Sequence, residues 1–408
     1  MNTGDDRPAL IEATASLQPV SFGVEELFFS RTDARGRIVS GNNVFQRISR
    51  FDWSEMIGRP HNIVRHADMP RAVFHVLWER IRAGLPTGAY VQNRTKDGSP
   101  YWVYAIVTPI EDGYLSVRLK PTSTFFPAAE AIYREIRAIE RANEQLKPAE
   151  SAAMLLDKLA AAGFRNFDAF MAAAAMHETR ARDAALGRAT PDHMVALERL
   201  LQISDGLIAA ADQVSAATTT YRYVPLNLRI QASGIGDTGA SINIISRNYG
   251  ILMQSIEDML ASFRDAIDVM SSAIACGAFL DCAARIQSEM ADVFAEETKS
   301  GNITFAGEIQ RLGHSRDIQL RDAETRLKDI HGCAQRFFAV TGEMERLTSG
   351  LAAIKVMGKV ESARMPIGDF SDLISDLEAY QHAMSRGLAE IGRVNGNVRR
   401  DVEALKFG

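Results

Sequence analysis

From Pro191 to the C-terminus the apolar residues keep a three-and-four rhythm that only helices packed against helices can satisfy. Leu197, Leu200, Ser204, Leu207, Ala211, Val214, Thr218 and Tyr221 form one series. Met253, Ile256, Leu260, Phe263, Ile267, Met270 and Ile274 form a second, and Phe337, Val340, Met344, Leu347, Leu351 and Ile354 a third. Each series lies on one face of its helix, so it needs facing helices to escape water. This predicts an all-α region, an antiparallel helical bundle or coiled coil. The rhythm alone does not say whether that bundle has a signalling role.

The first part of the chain reads as mixed α/β. Leu27 to Thr32 is a predicted strand, Asp33-Ala34-Arg35-Gly36 is turn chemistry, and Arg37 to Ser40 returns as a second strand. Asn42 or Asn43 caps a short helix through Val44, Phe45 and Ile48, and Phe51 to Ile57 is another helical piece closed by Gly58. A longer helix is expected from Asp68, the Asp capping it and Pro70 in its first turn, with Val73, Phe74, Leu77 and Ile81 on one face. Gly84 and Pro86 end it. Strand-like runs follow at Ala89 to Thr95, Tyr101 to Pro109 and Tyr114 to Leu119, separated by the turn dipeptides Asp97-Gly98 and Asp112-Gly113.

This order predicts an α+β domain over residues 22–122, an antiparallel sheet with helices on one face and room for a small ligand between the layers. A helical connector over 123–190, broken at Lys147-Pro148, leads to the bundle over 191–408, which divides into two expected hairpins, 191–298 and 303–408.

A formal net charge of −5 gives no general attraction to nucleic acid or to an anionic membrane. Cys276, Cys282 and Cys333 form no CxxC pair and meet no histidines at zinc spacing, which reads as idle thiols in a reducing compartment. Met1 to Pro8 is polar and acidic, unlike a signal peptide, and the most apolar window, Phe164 to Met176, is interrupted by Arg165, Asn166 and Asp168. No uninterrupted apolar stretch approaches the ~18 residues of a membrane helix. The expectation is a cytoplasmic protein with no membrane span. No GxxxxGK[ST] pattern, catalytic triad or acid–base pair of carboxylates is visible, so no enzymatic activity is expected.

The segment Phe28 to Lys120 resembles the PAS domain of the bacterial aerotaxis receptor family. The matching residues are Thr32-Asp33, Ile38, Asn42, Phe45, Gly58-Arg59-Pro60-His61-Asn62, Val64-Arg65-His66, Asp68-Met69-Pro70, Trp78, Asn93-Arg94 and Tyr101-Trp102-Val103. The run PHN-x-V-RH-x-DMP is the specific part. The resemblance implies FAD held between helices and sheet, with Asn42, Arg65, His66, Asp68, Trp78 and Asn93 as the cofactor-binding set. An isoalloxazine ring has amide-like edges that Asn can pair, and the planar fork of Arg suits phosphate. Each residue also has a reading without a ligand. Asp68 caps its helix, Arg65 and His66 tie down a loop, Asn93 is a strand-edge polar group, and Trp78 and Trp102 are core. One departure stands out: in Gly84-Leu85-Pro86-Thr87-Gly88-Ala89, Thr87 occupies the place of a family Trp, with Tyr90 the nearest substitute aromatic wall.

The helical region resembles, in degenerate form, the signalling tip of methyl-accepting chemotaxis receptors. Leu226-Asn227, Ile230, Ala232, Gly236 and Gly239 carry a first copy, and Lys359-Val360-Glu361-Ser362-Ala363-Arg364 with Pro366, Gly368 and Asp369 a fainter second. Gln231 stands for the tip Glu and Gly234 for the tip Arg. This resemblance implies a protein partner of the chemotaxis adaptor or kinase kind, and a homodimer. The combined expectation is a sensor of redox, oxygen or energy state that acts through flavin on a helical output module. The alternatives are a cofactor-free PAS scaffold for dimerisation and protein contacts, and a PAS domain binding another small ligand.

Overall fold

A computed structural model describes residues 18–233, 240–297, 305–363 and 370–405. The chain divides into two compact units, residues 1–189 with 279–320, and residues 190–278 with 321–408. These units cut across the segments expected from sequence, because residues 279–320 belong with the unit that holds the strands.

The first unit is built on five antiparallel strands: β1 (Phe28–Asp33), β2 (Ile38–Gly41), β3 (Thr87–Arg94), β4 (Pro100–Ile110) and β5 (Gly113–Leu119), in the order β2-β1-β5-β4-β3. Between β2 and β3 lie α1 (Asn43–Ser49), α2 (Trp53–Met56), a 3-10 turn (His61–Val64) and α3 (Arg71–Arg82). The β1–β2 turn forms as predicted, with Asp33 Oδ1 accepting the amide hydrogens of Arg35 and Arg37, each at 2.9 Å. Asn42 caps α1 by accepting from the Phe45 amide at 3.1 Å.

α3 departs from its predicted start. It begins at Arg71, and Asp68 does not cap it. The orphan amides of its first turn go instead to Glu140, which accepts from Arg71 N at 2.9 Å and Ala72 N at 3.0 Å. Glu140 belongs to α4 (Phe126–Ala142), which is followed by α5 (Pro148–Ala161) and α6 (Phe167–Ala185).

Four long or linked helices follow: α7 (Asp192–Tyr221), α8 (Val224–Ser233), α9 (Ala240–Glu296) and α10 (Phe305–Ala363), then α11 (Phe370–Ala404). Residues 279–296 of α9 and 305–320 of α10 complete the first unit.

Strand alternation gives the sheet two different faces. Val91, Asn93, Ala105, Val107, Ser116 and Arg118 face the α1–α3 layer. Tyr90, Tyr104, Thr108 and Phe29 face away, and that second face is covered as well, which the sequence reading did not foresee. Tyr104 OH donates to Met171 O at 2.8 Å, and Tyr90 OH donates to Glu178 Oε1 at 2.7 Å, both acceptors on α6. Gln287 of α9 and Gln319 of α10 both donate to Thr108 Oγ1, at 3.0 and 2.9 Å. The Phe29 and Phe294 rings meet edge to face with centroids 4.9 Å apart.

In the second unit α7 and α11 run antiparallel. Arg199 pairs with Asp401 at 2.8 Å near one end, and Thr218 Oγ1 lies 3.5 Å from Tyr380 OH near the other. A Cβ added to Gly387 would sit 2.4 Å from Val214 Cγ2, so this close approach needs glycine. The α9 and α10 segments are likewise antiparallel, with the Phe263 and Phe337 rings 5.1 Å apart and Gly350 packed on Leu252. The first two apolar series are buried as expected, apart from the half-buried Tyr221. The third is corrected: Val340 and Leu347 are only half-buried, and Thr341 and Thr348 take the core positions. Their hydroxyls donate to Phe337 O at 2.7 Å and Met344 O at 2.9 Å, so burial leaves no polar group unpaired.

The segments expected to reverse the chain, with Gly234, Gly236, Gly239, Arg364, Pro366, Gly368 and Asp369, lie outside the described residues. Among the described residues one helix, α9, is long and apolar enough to cross a membrane by length and composition, and 67% of its apolar window is buried inside the protein.

Candidate functional site

A cavity of about 300 Å³ lies between the helical layer and the sheet of the first unit. Its roof follows from the helical spacing of α3, which places Phe74, Leu77, Trp78 and Ile81 on one face. Its floor follows from strand alternation: Ser30 and Thr32 on β1, Val91 and Asn93 on β3, Ala105 and Val107 on β4, and Tyr114, Ser116 and Arg118 on β5. His61, Asn62 and Arg65 close one side from the 3-10 turn, and Arg35 and Gly36 another from the β1–β2 turn. Gly36 is required there, since a Cβ at its φ of +74° would lie 2.8 Å from Trp78 Cη2.

Arg118 is the chief polar feature of the floor. It is 5% exposed, and its Nη2 donates to Ser30 Oγ and His61 Nε2, both at 2.8 Å. Its Nη1 is buried with no hydrogen-bond partner, as is Ser116 Oγ two residues away on the same strand face. Burial lowers the Arg118 pKa to about 10. His61 stacks on Phe45 with centroids 5.7 Å apart. Burial, and then the charge of Arg118, hold its imidazole down to about 3, so it is neutral. Among the described residues the cavity lining contains Arg35, Arg65 and Arg118 and no Asp or Glu.

Three of the six expected binding residues line this cavity. Arg65 lies with its guanidinium 3.6 Å over the Phe74 ring, and burial lowers its pKa to about 10. Its backbone forms a bridge with Asn93, which is buried on β3. Trp78 meets Tyr114 edge to face at 5.5 Å, with Arg82 5.3 Å over its ring.

The other three lie outside the lining. Asn42 is fully buried behind β1, where Oδ1 accepts from Phe29 N at 3.0 Å and Phe45 N at 3.1 Å while Nδ2 donates to Leu27 O at 2.8 Å. His66 accepts the Asp68 amide hydrogen at Nδ1 at 3.2 Å, and burial lowers its pKa. Asp68 is 49% exposed and pairs with Arg141 of α4. Thr87, at the family Trp position, is also outside the lining; its Oγ1 donates to Leu85 O at 3.2 Å and accepts from Arg80 Nε at 3.3 Å. Tyr90 does not replace that Trp as a cavity wall, because alternation turns it to the opposite face, against Glu178. Sequence reasoning missed Arg118, Ser116 and Ser30. For Ser116 and Arg118 the signal was present: two polar residues two apart in the otherwise apolar second half of β5.

Comparison with known proteins agrees with this fold. Residues 38–117 match the PAS fold family. Over 114 residues the chain is 37% identical to the aerotaxis receptor of Escherichia coli (strain K12), a match covering 27% of this chain and 22% of that protein. The chain thus spans about a fifth of the length of the curated relative it matches. Among solved structures it is similar to the LOV domain of the Erythrobacter litoralis EL346 blue-light activated histidine kinase, at 17% identity over 22% of this chain and 90% of that one, with TM-score 0.21. It is also similar to the PAS domain of a Colwellia psychrerythraea protein, at 23% identity over 23% of this chain and 85% of that one, with TM-score 0.20. Residues 38–117 thus have the PAS fold and lie in a segment similar in sequence to an aerotaxis receptor.

Proposed function

We propose that this chain is a cytoplasmic signal-transduction sensor that holds a flavin in its PAS cavity and acts through its helices on a protein partner, without catalysis of its own. One observation carries the flavin reading: a partly enclosed cavity whose buried Arg118 and Ser116 each keep an unsatisfied polar atom. Buried polar groups in native proteins are normally paired, and a ligand rich in carbonyl and imide groups is the partner these atoms lack.

The residues fit such a group. Asn93, Ser116 and Arg118 offer hydrogen bonds to its polar edge, Phe74, Leu77 and Trp78 offer apolar faces, and Arg35 and Arg65 suit phosphate. When bound, a flavin supplies a redox-responsive ring whose potential depends on nearby charge and hydrogen bonding. FAD is the form that the sequence resemblance implies.

The route outward follows β1. Ser30 faces the cavity and accepts from Arg118, while its neighbours Phe29 and Arg31 face the other side. Phe29 packs on Phe294 of α9, and Arg31 Nε donates to both carboxylate oxygens of Glu308 of α10, each at 3.0 Å. A shift of β1 therefore acts on both long helices directly, in addition to any movement of the connector after Pro121. The partner is of the chemotaxis adaptor or kinase kind, and the acting form is a homodimer.

The test is the visible absorption spectrum of the purified full-length chain. Yellow protein with flavin bands is expected. Colourless protein that also refuses added FAD overturns the flavin reading. Heat stabilisation of that colourless protein by another metabolite would make it a different small-ligand sensor.

A further inference from the structure

We propose that Arg118 makes the cavity selective for a ligand edge that carries, or gains, negative charge, so that it favours the reduced, anionic form of the bound ring. This rests on the flavin reading above and assigns the charge preference of that same site.

The inference starts from an imbalance. A buried guanidinium without a counter-charge is costly, and proteins normally pair it. Among the described residues no ion pair engages Arg118. Its Nη2 is held by two neutral acceptors, Ser30 Oγ and His61 Nε2. Because that imidazole nitrogen accepts, His61 brings no negative charge, and as a neutral ring it brings no second positive one. Nη1 is left without a partner, and so is Ser116 Oγ, two residues away on the same strand face. The other charged groups of the lining, Arg35 and Arg65, are also cations, so the charges that line the cavity have one sign.

Such a site stabilises negative charge placed in it, and the fork of Arg118 is held in register by Ser30 and His61. Two-electron reduction of a flavin with uptake of one proton leaves the ring with one negative charge, which a nearby cation stabilises. Arg118 therefore binds the reduced ring more tightly than the oxidised ring and raises the reduction potential. It is a positioning and specificity residue that forms no covalent bond to its ligand.

Two measurements on the full-length chain test this. The first needs no flavin. With any bound flavin removed, Arg118→Met relieves an uncompensated buried charge, so its Tm should equal or exceed that of the wild type. A Tm several degrees lower would show that Arg118 is a structural brace for Ser30 and His61, and would overturn the inference whether or not flavin binds. The second is an anaerobic titration with dithionite, which supplies two electrons per ring as it is oxidised to sulfite, while water supplies the proton. The midpoint potential of Arg118→Met or Arg118→Gln should fall, by about 30 mV for each tenfold loss of preference for the reduced ring. Arg118→Lys should keep most of the wild-type value. Wild-type and neutral variants that coincide in potential while holding flavin would overturn the charge preference and leave the flavin reading intact. A wild type that takes up no flavin would overturn both.

Discussion

The Ala72 amide donates its hydrogen to Glu140 Oε1 at 3.0 Å, so the helix that roofs the cavity is capped by a carboxylate from the connector. Ser151 Oγ of α5 donates to the same oxygen at 2.7 Å. Glu140 is 1% exposed, and its removal strands two first-turn amides and a hydroxyl. Glu140→Ala should lower stability by about 2 kcal/mol, with Glu140→Gln intermediate. Urea unfolding of the full-length chain checks this.

Glu178 gathers four donors at the exit of the sheet. It accepts from Tyr90 OH at 2.7 Å, Ser123 Oγ at 2.6 Å, Thr122 N at 2.7 Å and Ser123 N at 3.1 Å. Glu178→Leu fills the space and satisfies none of them, so a loss of about 3 kcal/mol or more is expected. A Tm change under two degrees would contradict the reading of this carboxylate as a joint.

His61 gives the domain a pH dependence. Its folded pKa is held to about 3, against 6.5 for the free side chain. Between those values the unfolded chain binds a proton that the folded chain refuses, so stability falls as pH drops from about 6.5 toward 3. His61 as a whole residue is half-buried, so solvent screens part of this effect and a contribution on the order of 2 kcal/mol is expected. His61→Asn should flatten the stability profile in this window, read by chemical denaturation at several pH values.

The Arg31–Glu308 pair joins β1 to α10 through side chains 12% and 4% exposed. Removing Glu308 leaves the largely buried Arg31 dependent on the exposed Asp112, 3.3 Å away. Glu308→Gln should speed hydrogen exchange across residues 305–320 about tenfold or more, with little change in residues 330–350, measured by mass spectrometry. Equal protection in both forms would show that this pair does not hold α10 to the sheet.

The strands were legible because Asp97-Gly98 and Asp112-Gly113 punctuate them, and each predicted run overlaps an observed strand with its ends within two residues. The start of α3 was not legible, because its cap lies 68 residues away in sequence and no local pattern announces it. At the site, Arg65 was found through the family-like run and Trp78 and Asn93 through the wider resemblance, and all three line the cavity. Asn42 fits equally well as ligand or cap in sequence, and its geometry is that of a cap and a brace for β1. Arg118 escaped notice inside an apolar strand run, although its alternation with Ser116 and Tyr114 was the clue. Thr341 and Thr348 of α10 were passed over because the more apolar Val340 and Leu347 stand next to them, whereas a hydroxyl bonded to its own helix can be buried.

The second face of the sheet takes its cover from residues 279–320, far downstream of the strands it protects. A ribosome adding ~5–20 residues per second completes β5 on the order of ten seconds before Phe279 is made. Through that interval Phe29 and Thr108 lack the partners that later enclose them, and the nascent domain offers a sticky surface to chaperones or to its own copies. A fragment ended at residue 124 keeps that surface bare permanently, so the protein is best expressed and handled whole.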